Sequence, residues 1–508
     1  MSRARRLRRQ QLQPAAPEAI ADPAQSPVPR APLWLSAAFL LPNLGALACG
    51  FVFDDRIVLV DNQSLHIHSF GQLAHIWKSG YWPDNRGLEL YRPVAQTVWA
   101  LTWAAGGGSH PAIFHALGLA LGLASVLLLY RLLLTIETPP RVAFVAAALF
   151  ALFPIHTDAT ASVVGSSELM AAAFGLAAVI FYYRNQPVWA LFLFALAVFS
   201  KESAAAFAAL PLAFPRKRPS LRDSWTAAAG AAAIVAAALI AHNVLSRSSQ
   251  IPAIDNPTAL VDAGKRWITA LWVQCLYLSK TLVPITLSAD YSYKQIRLVM
   301  GLDDWRAWAG LALAASAIYV AWRRPEFRPP VLAYAILFSP TANLVFPIGT
   351  IMGERLTYAP TIGLALLLAI LLARSRYWKP ALIAVALVFG ARTAVRNRDW
   401  LNPQHFYEKL VETSPDSAKA HYSIGVEYAA DGDDNRAIAS YDRAIEIFPA
   451  YAEAYRNRGN AQARLGRREE AMASYRQCLR FDPGDFAANS NLRELEAGHA
   501  VFPPRAHM

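Results

Sequence analysis

The chain has 508 residues, of which 55% are hydrophobic and 17% charged, with a mean hydropathy of +0.26. Soluble domains carry about 25% charged residues, so a purely aqueous enzyme is excluded and a polytopic membrane protein is implied. Lys and Arg number 48 against 36 Asp and Glu, a formal net charge of +12; in so apolar a chain the excess marks loops held in the cytoplasm rather than a nucleic-acid surface.

Residues 1–32 are basic at the start (Arg3, Arg5, Arg6, Arg8, Arg9) and then rich in Pro and Ala, with too little apolar surface to fold. These arginines precede the first apolar run, 33–52, and place the N-terminus in the cytoplasm. Further runs recur near 110–134, 142–153, 161–183, 188–199, 204–214, 225–245, 305–322, 331–347, 356–372 and 380–391. Together they form a multi-span domain over 33–398, its first outer loop at 51–92. Several runs are shorter than the ~20 residues a lone helix needs to cross hydrocarbon, which a large bundle tolerates. Basic clusters at Arg131/Arg141, Arg184, Arg216-Lys217-Arg218 with Arg222, Arg323-Arg324 and Arg374/Arg376/Lys379 are assigned to the cytoplasm. If 267–287 is re-entrant or interfacial, about eleven crossings satisfy the alternation, and everything after Arg392 lies outside. Cys49, Cys275 and Cys478 have no metal-ligand spacing and suggest no disulfide framework.

Over 399–498 the pattern becomes polar and amphipathic, with a repeat. Gly425, Ala437, Tyr441 and Pro449 recur 34 residues on as Gly459, Ala471, Tyr475 and Pro483. A 34-residue period with these small, aromatic and proline positions is the tetratricopeptide helix-turn-helix pattern. Tyr407 and Pro415 extend the register backwards, and 489–495 reads as a capping helix. Residues 499–508 are a tail.

Polar groups interrupt the apolar runs on one side of the deduced topology. Asp54-Asp55 follow the first span; adjacent carboxylates outside a bilayer suit proton abstraction from a hydroxyl, and their mutual repulsion strengthens one as a base. The following loop, 63–82, interleaves apolar and aromatic residues with His66, His68, His75 and Lys78, as an interfacial amphipathic helix would. Then come Tyr91-Arg92-Pro93, His156-Thr157-Asp158, Glu168, Lys201-Glu202 and Glu354-Arg355. Ionisable residues beside spans are functional candidates by default. Carboxylates with a histidine and cations on one side fit a site that grips phosphate and deprotonates an alcohol. No Rossmann glycine fingerprint or P-loop is present.

The ordered series Phe51-x-x-Asp54-Asp55, Tyr91-Arg92-Pro93, His110-Pro111-x-x-Phe114-His115, Pro154-Ile155-His156-Thr157-Asp158, Ser200-Lys201-Glu202, Asn343-Leu344-x-Phe346-Pro347, Glu354-Arg355-x-x-Tyr358 and Arg396-Asn397-x-Asp399-Trp400 resembles the transmembrane and tetratricopeptide-repeat O-mannosyltransferases. These are C-type glycosyltransferases that use polyprenyl-phosphate sugars. The resemblance runs from about Gly50 to Asp485 and implies an all-α fold: a polytopic membrane helix bundle of the C-type glycosyltransferase kind, then a short tetratricopeptide solenoid. It implies Asp54 or Asp55 as the base and Asp158 as a second acid, where the family more often has Glu. Arg92, His156, Lys201 and Arg355 are the expected phosphate cations. Tyr91, Glu168 and Glu354 are expected to contact the acceptor or support the charges. The implied partners are a polyprenyl-phosphate sugar donor, mannose by analogy, and a protein or peptide acceptor reached from the periplasmic face of a bacterial inner membrane. No cofactor is assigned; a divalent cation at the paired carboxylates is left open, and no metal ligands are named. Two rival readings are a non-enzymatic scaffold that recruits envelope proteins through the repeats and an envelope glycan ligase or polymerase. A transporter is disfavoured because no inverted repeat is evident.

Overall fold

A computed structural model describes residues 26–83, 90–108, 110–215, 221–245 and 251–502. The expectations for the basic start of the chain, the Arg216-Lys217-Arg218 cluster and most of the 499–508 tail fall outside the described residues.

Among the described residues every regular element is helical. Helices α1 (Ala31–Asn43), α2 (Pro93–Thr102), α3 (Pro111–Thr135) and α4 (Pro140–Leu152) each carry a proline in the first turn, where its missing N–H costs no hydrogen bond and its fixed φ suits the helix. A short α5 (Thr157–Ala161) precedes α6 (Ser166–Tyr183), α7 (Pro187–Ser200) and α8 (Leu221–Leu245). Then follow α9 (Ala263–Leu282), α10 (Trp305–Arg323), α11 (Arg328–Phe338), α12 (Thr361–Leu372) and α13 (Trp378–Asn397).

The centre of the bundle is α4, buried at every position from Val142 to Leu152. A helix apolar on all sides belongs in a core, and α4 packs against α1, α3, α12 and α13. It breaks at Pro154: residues Pro154–Ala161, which include Asp158, leave its axis by 52°. Among the described residues five helices are long and apolar enough to cross a bilayer: Ala31–Ala48, Pro111–Thr135, Ser166–Tyr183, Ser224–Val244 and Trp378–Trp400. The bent pair makes a sixth, and Pro187–Ser200, Glu202–Leu212 and Thr361–Leu372 are shorter apolar helices. The protein is a multi-pass membrane protein.

The interfacial helix expected over 63–82 is replaced by short turns, Gln63–Leu65, Phe70–Gln72 and Leu73–Ile76. The reason is packing: Leu65, Ile67 and Ile76 are buried in a local core with Trp99 of α2, so the loop turns its apolar residues inward. His66 stacks on Trp103 at 3.8 Å and its Nε2 meets the Leu59 carbonyl.

Beyond α13 come α14 (Pro403–Thr413), α15 (Ala418–Ala430), α16 (Asp434–Ile447), α17 (Ala452–Arg464), α18 (Arg468–Phe481) and α19 (Phe486–Glu496). Side-chain oxygens of Asn402, Ser417, Asp433 and Asp485 cap four of them. The repeat is visible atom by atom. A Cβ on Gly425 would lie 2.7 Å from Tyr441 Cε1, and one on Gly459 would lie 2.7 Å from Tyr475 Cε1. Each glycine lets a tyrosine ring lie against its helix backbone, which sets the spacing within each pair.

Candidate functional site

The acidic pair divides its labour. Asp55 is fully enclosed, and its carboxylate accepts hydrogen bonds from Ser162 Oγ (3.1 Å) and from the amides of Val163 (3.2 Å) and Val164 (2.8 Å). Burial pushes its carboxyl up to about 7, against the downward pull of these three donors, and the neighbouring Asp54 charge adds to the rise. It ties the acidic loop to the turn that starts α6. Asp54 stays at the rim, its side chain 18% exposed, and its Oδ2 accepts from Arg355 Nη2 at 2.9 Å.

Arg355 gathers a second acid. Its backbone N–H donates to Asp158 Oδ2 at 3.0 Å, so the two acidic stretches meet at one residue. Glu354, fully buried, accepts from the Tyr291 hydroxyl at 2.5 Å and the Ser288 amide at 2.7 Å. Arg396 stands 3.8 Å from its other oxygen. Burial raises the Glu354 carboxyl to about 7, and Arg396 and Tyr291 oppose that rise.

The other wall carries the remaining cations. Arg92 grips Glu202 with two parallel bonds, 2.9 Å from Nε and 2.6 Å from Nη2, while its guanidinium lies 5.0 Å from the centre of the Tyr81 ring. The planar fork explains why Arg rather than Lys stands there. Lys201 pairs with Glu168, and both side chains are almost wholly buried. Tyr81 is buried beneath the Arg92 guanidinium, edge-on to the rings of Trp82 and Trp99.

Two assigned residues do not join this set. His156 is enclosed by the rings of Phe150, Phe153 and Tyr358, with centroids 4.9, 5.8 and 4.6 Å away, and its Nε2 meets the Thr361 hydroxyl at 2.7 Å. It is a packed aromatic-core residue and not an open cation, which corrects its expected phosphate role. Tyr91 donates its hydroxyl to the Trp77 carbonyl and faces Phe199, which holds it to the loop. Sequence reasoning also missed Tyr81, Tyr291 and Ser162, and gave Arg396 no role of its own. Among the described residues no group of three or more His, Cys, Asp or Glu is arranged to hold a metal.

An apolar groove of about 980 Å³ runs between α6, α7 and α8, past Tyr182, Phe194, Phe207, Trp225 and Leu239. Phe207 also borders a separate small cleft lined by Glu168.

Residues 246–318 match the family described as Protein O-mannosyl-transferase TMTC, DUF1736. Residues 425–466 and 452–485 match tetratricopeptide repeat families. The chain is similar to transmembrane and tetratricopeptide-repeat O-mannosyltransferases. It is 28% identical over 417 residues to Protein O-mannosyl-transferase F38B6.6 of Caenorhabditis elegans, covering 77% of this chain and 59% of that protein. It is 26% identical over 467 residues to TMTC4 of Mus musculus (77% and 63% covered) and 26% identical over 436 residues to TMTC3 of Homo sapiens (75% and 47%). The chain thus spans less than two thirds of the length of these O-mannosyltransferases. A solved Archaeoglobus fulgidus oligosaccharyltransferase tethered with an acceptor peptide aligns at TM-score 0.41 with 14% identity, covering 77% of this chain and 59% of that one. The segment that matches the O-mannosyltransferase family includes Ser288 and Tyr291, which hold Glu354 beside Arg355.

Proposed function

We propose that the protein is a membrane glycosyltransferase that moves a single sugar, mannose by analogy with its relatives, from a polyprenyl phosphate to a hydroxyl of a protein or peptide on the outer, periplasmic side of a bacterial inner membrane. The observation that carries this reading is Asp54, partly exposed, with one oxygen on Arg355, whose backbone N–H in turn holds Asp158. A partly exposed carboxylate can meet an incoming hydroxyl; the enclosed Asp55 cannot. In the reaction Asp54 takes the acceptor's proton as the acceptor oxygen bonds to the anomeric carbon, the bond from that carbon to the phosphate oxygen breaks, and the lipid phosphate leaves with the electron pair. Attack opposite the leaving group inverts the anomeric centre.

The departing phosphate needs fixed positive charge. Arg92 is held by Glu202, whose side chain is 57% exposed, so Glu202 is free to turn to water when phosphate takes its place on the bidentate fork. Lys201, paired with Glu168, is the second cation assigned to the phosphate. The isoprenoid chain runs in the groove between α6 and α8, whose apolar lining suits it. Purified protein in nanodiscs, supplied with radiolabelled polyprenyl-phosphate sugars and candidate peptides, tests the proposal. Label should pass to peptide in the wild type and fail to pass in Asp54→Asn. Equal transfer by both would remove the catalytic role, and a recruiting scaffold would then be the better account.

A further inference from the structure

The segment from Cys49 to Arg56, which carries the acidic pair, is held from the side of the repeats along its length. The Gly50 amide donates to the Trp400 carbonyl at 3.0 Å, and a Cβ on Gly50 would meet the Leu401 carbonyl oxygen at 3.0 Å, so the two backbones run in contact. Phe53 packs on Phe406 of α14 with centroids 5.7 Å apart, and Lys419 of α15 sits 5.9 Å from the same ring. Lys419 is itself fixed by Asp255 at 2.9 Å, and Arg56 reaches Glu427 of α15 at 3.4 Å. A hydroxyl cluster anchors α14 and α15 from below: Ser414 Oγ donates to the Asp290 carbonyl at 2.7 Å, and Ser417 Oγ donates to the Asp290 carboxylate at 2.7 Å. Trp400 and Phe406 are buried in one cluster with Val52 and Cys49.

Phe53 also has φ +55°, a left-handed conformation that a residue with a Cβ adopts only when its surroundings hold it there. The next residue is Asp54. The direction in which Asp54 leaves the chain is therefore set by how Phe53 is held, and the first two repeat helices hold it.

We propose that the start of the repeat domain is a positioning element for the site: Phe406 and Lys419 fix Phe53 in its left-handed conformation and so aim Asp54 at Arg355. The catalytic consequence rests on the transferase reading; the structural one does not. The repeats then do more than present an acceptor, because their dock completes the site, and any partner that loosens α14 lowers turnover.

The experiment uses the full chain in nanodiscs with Phe53→Ala, Phe406→Ala, their double variant and Lys419→Met. Amide hydrogen exchange over 50–57 should rise about tenfold in Phe406→Ala while 434–481 stays unchanged, the pattern expected of local opening. With sugar transfer as the second readout, kcat should fall about tenfold or more at near-constant KM, since small misplacement of a reacting group is costly. Phe53→Ala and Phe406→Ala should be strongly non-additive in kcat, as residues acting through one contact are, and Phe406→Leu should restore most of the loss. Should Phe406→Ala fail to fold, Lys419→Met is read by the same two measures. Unchanged exchange over 50–57, or independent effects that multiply, overturns the proposal. If the wild type transfers no sugar, the transferase reading fails while the exchange data still decide the positioning.

Discussion

The Lys201–Glu168 pair allows a stability effect and a binding effect to be separated. The two side chains are 5% and 7% exposed, so each charge is tolerated only because the other is present. Glu168→Gln leaves an ammonium with no counter-charge in contact, and breaking a buried pair from one side costs about 3–5 kcal/mol. Replacing both partners with neutral residues of similar size, Glu168→Gln with Lys201→Met, removes the buried charges together and is expected to recover most of that loss. The assay is the temperature at which half the purified protein remains monodisperse after heating, measured for wild type, both single variants and the double. Glu168→Gln should be clearly less stable than wild type and the double close to it. In the same samples the double variant should regain folding without regaining affinity for polyprenyl phosphate, because the cation is gone. A Glu168→Gln protein as stable as wild type would refute the electrostatic reasoning. A double variant with wild-type donor affinity would refute the role of Lys201.

Asp54→Asn should lower transfer by about 10²–10⁴-fold, the range of a general base, with little change in heat stability, whereas Asp55→Asn should lower stability because an amide cannot accept all three hydrogen bonds of the enclosed carboxylate; melting and turnover measured together decide. Asp55 and Glu354 both bind a proton more tightly when folded, each rising to about 7 from 3.8 and 4.5. Their stabilisation is thus fully present below those ordinary values and is lost as pH rises through about 7; melts taken between pH 5 and 8.5 should show a decline that Glu354→Gln flattens. Arg92→Lys keeps the charge and loses the bidentate fork, so donor KM should rise several-fold, as steady-state kinetics at varied donor will read. Gly459→Ala forces a methyl to 2.7 Å from the Tyr475 ring and should cost about 1–3 kcal/mol of overpacking, seen as faster amide exchange confined to α17 and α18.

Which parts of this were legible in the sequence follows from how local each signal is. The repeats were, because their glycines, alanines and tyrosines recur at fixed spacing, and the same spacing produces the two identical glycine–tyrosine contacts. The membrane character was, because it is a sum over composition. Asp54 and Asp158 are recognisable as charges beside apolar runs, but their meeting at Arg355 spans 301 and 197 positions, beyond any periodicity. Tyr81 and Tyr291 look like ordinary interfacial aromatics until their neighbours are known. His156 misleads for the converse reason: its motif suggests an open cation, and only packing against Phe150 and Tyr358, one a few residues away and the other far along the chain, shows the ring to be enclosed. The loop at 63–82 alternates well enough for a surface helix, yet burial against α2 outweighs that pattern.

The same contacts settle a relation that counting spans leaves fragile, since one misread segment inverts everything after it. Backbone bonding of Gly50 to Trp400, packing of Phe53 on Phe406 and the Arg56–Glu427 pair place the acidic loop and the repeats against each other. Bonding of Asp55 to Val163 and Val164, and of Asp158 to Arg355, brings the ends of the broken span and of the 354–357 turn to the same place. Short-range bonds cannot reach across a bilayer about 30 Å thick, so all of these segments share one side whatever the number of crossings. A cysteine at an exposed repeat position such as Arg480 and one at Arg56 should therefore be labelled by an impermeant maleimide from the same face of sealed vesicles. Labelling from opposite faces would break the contacts on which both the site and its positioning by the repeats depend.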